Sequence, residues 1–314
     1  MRESTARSGQ FCNPVEATLT PAMNRQMPNF GVGGFPPAFV RGTTGKDRSA
    51  IFAWLAGLGL NALELQMTRG ANMPKHTCRL YRKLAENYGI RLSIHGSYYI
   101  VLSSPEPEKY RRSTESLLRT FELADELGVR EIVIHPGSLY GQDEEEAAKR
   151  FVDGVGAFME KLGRCGTGLF IETAGKLGQL GSVEAILDMA SQVDGVEPCI
   201  DFGHVHARTL GGLSEAEAVA ALGSRLVEFA ARWPGKRFHF HYTPIHYGLR
   251  GEIQHRALSD IRPLGISGRS EPFYPRPEPV AEVLRRILSR FTAISETLDS
   301  QEEGGLALQN LCLR

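Results

Sequence analysis

Eight short β-leaning runs, alternating with longer stretches of helical period, constrain this 314-residue chain more than any other feature of its sequence. The runs predict strands at Phe30–Gly33, Ala62–Gln66, Arg91–His95, Glu131–His135, Leu169–Glu172, Pro198–Asp201, Arg237–Tyr242 and Thr292–Glu296. Helices are expected over Arg48–Leu58, Lys75–Tyr88, Lys109–Leu127, Glu144–Leu162, Val183–Ser191, Glu215–Arg232 and Val280–Ser289. Ser214 and Glu217 have capping-box spacing at the start of one of them. Parallel neighbours need a crossover of a dozen residues or more, usually a helix, so this alternation predicts an α/β protein with a parallel sheet. Eight such units in one chain of this length predict a single (β/α)₈ barrel over residues 29–314, in preference to a doubly wound sheet. Residues 1–28 read as a polar, disordered N-terminal extension. The Gly- and Pro-rich stretch Ser259–Pro277 reads as an insertion on a loop.

Charge and cysteine usage then narrow the function classes. Lys+Arg and Asp+Glu both number 36, so the formal charge is zero. That argues against holding polyanions by bulk electrostatics but leaves room for a local basic rim. The five cysteines, Cys12, Cys78, Cys165, Cys199 and Cys312, are odd in number and form no C-x-x-C pair. They suit neither a disulfide scaffold nor a Cys-ligated zinc site, and a reducing cytoplasm is the expected location. The first residues carry no apolar signal region, and the best apolar run, 50–60, is too short and too interrupted by glycine to cross a bilayer.

The chemistry is concentrated at the strand ends. Strands three to eight close in turn on His95, His135, Glu172, Asp201, His239 and Glu296. The C-terminal strand ends of a barrel meet at one mouth, so residues far apart in sequence become neighbours there. Imidazole with carboxylate is the ligand set of Zn²⁺ or Mn²⁺. His204, three residues past Asp201, and Glu252 and His255 in the following connection bring the candidates to nine. A mononuclear zinc site takes about three or four protein ligands, so two or three ions are expected, with Glu172 the best candidate for a carboxylate shared between ions about 3.5–4 Å apart. By strand alternation His241 shares an inward face with His239, as a further ligand or as a residue that orients one. His206 and His246 read as loop residues and His76 as exposed. The run LGQLGS, 177–182, precedes a helix whose amides offer a weak phosphate site, and Arg69, Lys75 and Arg79 read chiefly as a helix-surface charge run. Nothing resembles a Ser/His/Asp triad or a nucleotide-binding glycine motif.

Taken in order, NALELQMTRG, RLSIHGSYYIVLSSPE, ELGVREIVIHPGSLYG, IETAGKLGQLGS, PCIDFGHVHAR, HFHYTPIHYGLRGEIQH and TAISETLDSQEEG resemble the endonuclease IV family of apurinic/apyrimidinic (AP) endonucleases, in its diverged branch common in archaea and some bacteria. The likeness spans roughly residues 29–312. It implies hydrolysis of the DNA backbone 5′ to abasic sites in base-excision repair, by a three-zinc centre. Carried over by position, it implies a first zinc on His95, His135 and Glu172, a second on Glu172, Asp201, His239 and Glu296, and a third on His204, His255 and Glu252. Glu172 would then orient a bridging hydroxide. The implied partner is damaged double-stranded DNA, with Tyr98 as the side chain that fills the gap at the missing base and Tyr99 beside it. Glu252 stands three residues before His255, where the best-characterised branch has an Asp two before. His241 stands where that branch has an Asn.

A different chemistry shares the mouth. Sugar isomerases and epimerases with barrels of the xylose-isomerase kind use Glu, Asp and His around one divalent ion, and two carboxylates suffice for their proton transfers. The surplus of histidines, especially His95, His135, His204 and His255, favours the phosphodiesterase.

Overall fold

A computed structural model describes residues 27–163, 166–260, 273–287 and 290–314. The barrel strands are β1 (Asn29–Gly33), β2 (Ala62–Gln66), β3 (Arg91–His95), β4 (Glu131–Ile134), β5 (Gly168–Glu172), β6 (Val196–Asp201) and β7 (Phe238–Tyr242), and after a β8 (Ile245–Gly248) and β9 (Gly251–His255) hairpin the ring is completed by β10 (Phe291–Ser295). All eight barrel pairings are parallel, and β10 joins β7 to β1 to close the ring. Around it lie α1 (Pro37–Arg41), α2 (Ile51–Leu58), α3 (Lys75–Tyr88), α4 (Pro107–Leu127), α5 (Glu144–Leu162), α6 (Val183–Gln192), α7 (Phe202–Arg208), α8 (Ala216–Arg232), α9 (Pro277–Arg286) and α10 (Gln301–Cys312). The chain is a single-domain (β/α)₈ barrel.

Period-two alternation explains how the strands partition. Leu63 and Leu65, Leu92 and Ile94, Ile132 and Ile134, and Phe238 and Phe240 point outward into the layer shared with the helices. Their neighbours point into the barrel, where Val133, Phe170 and Cys199 form a small apolar plug. Local sequence signals set the helix limits. The Asp143 side chain accepts from the Glu146 amide at 2.8 Å to open α5, with three glutamates in its first turn where the helix dipole favours them.

Every expected barrel strand forms, with limits within two residues. The differences lie in the connections. The segment after β7, expected as loop, is the β8–β9 hairpin; α7 starts directly after β6; α9 starts at Pro277; and α10 follows the last strand. The capping box does not form. Glu215 occupies the cap of α8 without a side-chain bond, and Ser214 donates its hydroxyl to the Gly211 carbonyl at 2.7 Å instead. All but the last two residues of the expected extension, Cys12 and Cys165, and most of the 259–277 insertion lie outside the described residues. Cys78, Cys199 and Cys312 are free thiols. No helix among the described residues is long and apolar enough to cross a membrane.

Candidate metal centre

Glu172, the last residue of β5, is fully buried at the centre of the mouth. Its Oε2 stands 3.1 Å from His95 Nε2 and 3.3 Å from His135 Nε2. Its Oε1 stands 3.0 Å from His241 Nδ1 and 3.1 Å from His204 Nδ1. Glu172, Asp201, His241 and Glu296 each offer one ligand atom to a common group whose atoms lie within 4.8 Å of one another. His204, Glu252 and His255 form a second such group, adjoining the first through His204. Eight of the nine strand-end and loop candidates are thus brought together: His95, His135, Glu172, Asp201, His204, Glu252, His255 and Glu296.

The ninth is displaced. His239 lies one inward position below His241 on β7, about 6.6 Å down the strand at 3.3 Å per residue. It pairs with Glu64 and Glu131 rather than with Glu172, while His241 stands at the Asp201 level of the register. His241, rather than His239, therefore stands level with Asp201 and within reach of Glu172. Two residues of β2 also reach this region without having been singled out from sequence. Gln66 bonds Glu296 Oε1 and Glu64 Oε1, both at 3.1 Å, and Glu64 is fully buried beneath His241.

Several imidazoles have one nitrogen tied and the other aimed inward. His95 Nδ1 bonds the Gly96 carbonyl at 3.0 Å, His204 Nδ1 the Thr173 carbonyl at 2.9 Å and His255 Nδ1 the Glu296 carbonyl at 3.2 Å. A nitrogen that donates to a carbonyl leaves its ring partner as the lone-pair donor, which is how ligating histidines are held. His204 Nε2 and His255 Nε2 both face Glu252, at 3.6 and 3.7 Å. Asp201 Oδ2, His135 Nδ1 and, deeper in the barrel, His239 Nε2 are buried without a hydrogen-bond partner among the described residues. Buried polar atoms normally find partners, so orphans within a His/carboxylate cluster fit a metal centre.

Neighbouring carboxylates favour the protonated form of several of these imidazoles. Burial opposes charge on His95, but the hydrogen bond and charge of Glu172 overcome it and raise the ring to about 9. Burial likewise disfavours the His204 and His241 cations, yet Asp201 and Glu172 around the first, and Cys199, Glu64 and Glu172 around the second, lift both well above the usual imidazole range. Glu172 is pushed up by burial and pulled further down by His135, His241 and His204, ending well below the carboxylate range. His135 goes the other way: burial, reinforced by His204 and His95, depresses it to about 4. Metal binding must displace the imidazole protons.

The remaining candidates have local roles. Tyr98 and Tyr99 are exposed at the rim with ring centroids 4.6 Å apart. They line a cleft of about 890 Å³ with Arg69, Lys109, Arg112 and Arg119. Gly181 and Ser182, whose amides the sequence offered to phosphate, donate them to Glu144 at 3.1 and 3.0 Å. His206 is buried, accepts from the Leu213 amide and packs on Tyr247; His246 faces Arg256; His76 is exposed.

A family model described as xylose isomerase-like TIM barrel matches residues 52–265. An uncharacterized protein of Methanocaldococcus jannaschii is 28% identical over 76% of this chain and 85% of its own length. A probable endonuclease 4 of Acholeplasma laidlawii is 30% identical over 39% of this chain, and the match spans less than half, 45%, of that relative. Among solved structures, endonuclease IV of Thermus thermophilus superposes over 90% of this chain and 97% of its own, with a TM-score of 0.59 and 20% identity. The D-psicose 3-epimerase of Clostridium cellulolyticum covers 84% and 86%, with a TM-score of 0.54 and 17% identity. These two likenesses establish the fold that nuclease and epimerase share.

Proposed function

This chain belongs to the xylose isomerase-like TIM barrel family, and from that membership we propose that it is a metal-dependent phosphodiesterase that hydrolyses DNA on the 5′ side of abasic sites. The observation that carries the reading is the continuity of the His/carboxylate groups. His95 and His135 flank one oxygen of Glu172, the Asp201–His241–Glu296 group adjoins the other, and His204–Glu252–His255 continues outward. Three ions suit this donor set. His95, His135 and Glu172 would hold the first, Glu172, Asp201, His241 and Glu296 the second, and His204, Glu252 and His255 the third. Zinc is favoured by the imidazoles, with manganese compatible with the carboxylates. Bound there, the ions supply Lewis acidity that activates water and stabilises charge on the phosphate.

The chain's own residues supply the rest. Glu172 would be a ligand shared between ions, and the backbone carbonyls behind His95, His204 and His255 keep their Nε2 atoms aimed. The exposed Tyr98–Tyr99 pair beside the mouth offers apolar surface to fill the gap left by a missing base, and an abasic nucleotide costs little to extrude. Arg69 and Arg119 in the adjoining cleft offer local positive charge to backbone phosphates, which a chain of zero net charge needs at its contact face, while Arg112 beside them is paired with Glu108.

The test is cleavage of a labelled duplex bearing one abasic analogue that resists β-elimination, with an undamaged duplex as control. The expected result is cutting 5′ to the analogue, lost on prolonged chelation. A metal-loaded preparation that leaves it intact contradicts the proposal. One observation favours a second reading: Glu172, Asp201, His241 and Glu296 alone make a one-ion site of the kind that isomerises or epimerises sugars. Turnover of ketoses by the same preparation would move the assignment there.

A further inference from the structure

A column of polar side chains runs down the barrel from the proposed centre. Glu172 Oε1 meets His241 Nδ1 at 3.0 Å, and the opposite ring nitrogen, Nε2, lies 3.2 and 3.3 Å from the two oxygens of Glu64. Glu64 also accepts from Ser93 Oγ and Gln66 Nε2, each at 3.1 Å, and faces His239 Nε2 at 3.1 Å. His239 Nδ1 in turn meets Glu131 Oε2 at 3.1 Å, and Glu131 Oε1 accepts from Arg91 Nη2 at 2.9 Å. Burying a carboxylate in mid-strand carries a large desolvation cost that such partners must offset. An apolar residue would fill the same space without that cost.

We propose that Glu64 is a positioning residue for the metal centre, accepting the Nε2 proton of His241 so that the Nδ1 lone pair points at Glu172, Asp201 and Glu296. This rests on the metal reading of the site given above. Carboxylates and carbonyls behind ligating imidazoles commonly fix the tautomer and ring orientation in this way. Elsewhere in the centre backbone carbonyls do it, for His95, His204 and His255. His241, in the middle of the barrel mouth, has the carboxylate of Glu64 behind it. Glu64 is no part of the Glu172–Asp201–His241–Glu296 group; it lies instead with His239 and His241, on the far side of the His241 ring from Glu172. Ser93 and Gln66 hold the carboxylate by hydrogen bonds, and His239 Nε2 faces it at 3.1 Å.

The test is imidazole ¹⁵N NMR of the full chain, stripped of metal and titrated with zinc against a competing chelator. In the zinc-loaded unaltered protein His241 is expected to keep its proton on Nε2 and to bind zinc through Nδ1. In Glu64→Gln the free-zinc midpoint read at His241 moves up about ten- to a hundredfold, the range for loss of such a partner, while the midpoint at His204 stays in place. An unchanged His241 midpoint, the opposite tautomer, or an equal shift at every histidine with a lower melting temperature of the metal-free protein overturns the assignment. So does loss of an additional ion, which would make Glu64 a ligand. Should Glu64→Gln not fold, Ser93→Ala removes one of its donors, with a several-fold shift at His241 alone expected and no shift contradicting it. If the unaltered protein takes up no zinc, the metal reading itself falls and this inference with it; uptake with an unmoved Glu64→Gln midpoint removes the inference alone.

Discussion

Glu172 is the side chain on which the proposed centre turns, because each of its oxygens faces a different set of imidazoles. Glu172→Gln keeps the volume and removes the charge. The expected outcome is loss of at least one bound ion in elemental analysis and a fall in cleavage of more than a hundredfold, with the far-UV circular dichroism of the barrel retained. Full metal content with full activity contradicts it. His239 and His241 make a matched pair: His241→Asn should cost an ion, whereas His239→Asn should leave the ion count unchanged. Both residues share one face of β7, and that much was legible in the sequence. Which of them stands level with Glu172 was not, because barrel register sets the height and register is invisible in one strand. Glu64 shows the opposite case. A carboxylate between Leu63 and Leu65 was a usable signal, but attention to strand ends passes over a residue in mid-strand. At the foot of the column burial would raise Glu131, yet His239 and Arg91 override it and lower the carboxyl to about 2 from an ordinary 4.5. A depressed carboxyl stabilises the fold fully above its unfolded value and loses that contribution as pH falls through its folded one. Glu131 should therefore contribute about 3 kcal/mol above pH 4.5, an order-of-magnitude figure at 1.36 kcal/mol per unit, lost progressively toward pH 2. Unfolding free energies of the metal-free protein and of Glu131→Gln should differ near neutrality and converge in that window; a constant gap would contradict the sign.

Among the elements, the β8–β9 hairpin carries the outermost group. Glu252 donates its amide to the Gly175 carbonyl at 3.0 Å, and a Cβ on Gly175 would lie 2.7 Å from that of Glu252 and 3.2 Å from His204 Cδ2. Gly251 has φ +89°, and a Cβ there would sit 2.1 Å from the Gly175 oxygen. The close approach that brings Glu252 to His204 thus depends on two glycines. Gly175→Val should displace the hairpin and release the ion proposed on His204, Glu252 and His255, with the other two retained; three ions found by elemental analysis in the variant would show that the hairpin position is immaterial. The hairpin was expected as loop because its strands have no apolar alternation of their own, being half-exposed ribbon anchored by backbone contacts to the β5 connection. The short α7 was missed for a related reason. Its seven residues are nearly all buried, so they show no polar face to mark a helical period. Ser214 and Glu217 carried the spacing of a capping box, but a tight turn at Gly211 claims the serine hydroxyl.

On the scale of the whole molecule, strand order and closure were legible because they rest on hydrophobic periodicity and on crossovers that only helices fill. Eight inward-facing strand ends then place any polar residue there at a common mouth, and this is why most of the site could be read without coordinates. What the sequence withheld is what the assembled barrel adds: height along its axis, and the polar column beneath the mouth. The central claim is that this mouth is a centre of several metals built around Glu172. The most direct measurement is anomalous diffraction at the zinc edge from crystals of the zinc-loaded protein. The account predicts three peaks, with Glu172 ligating two of them, His241 one of those two, and the third between His204, Glu252 and His255. A single peak confined to Glu172, Asp201, His241 and Glu296 would contradict it.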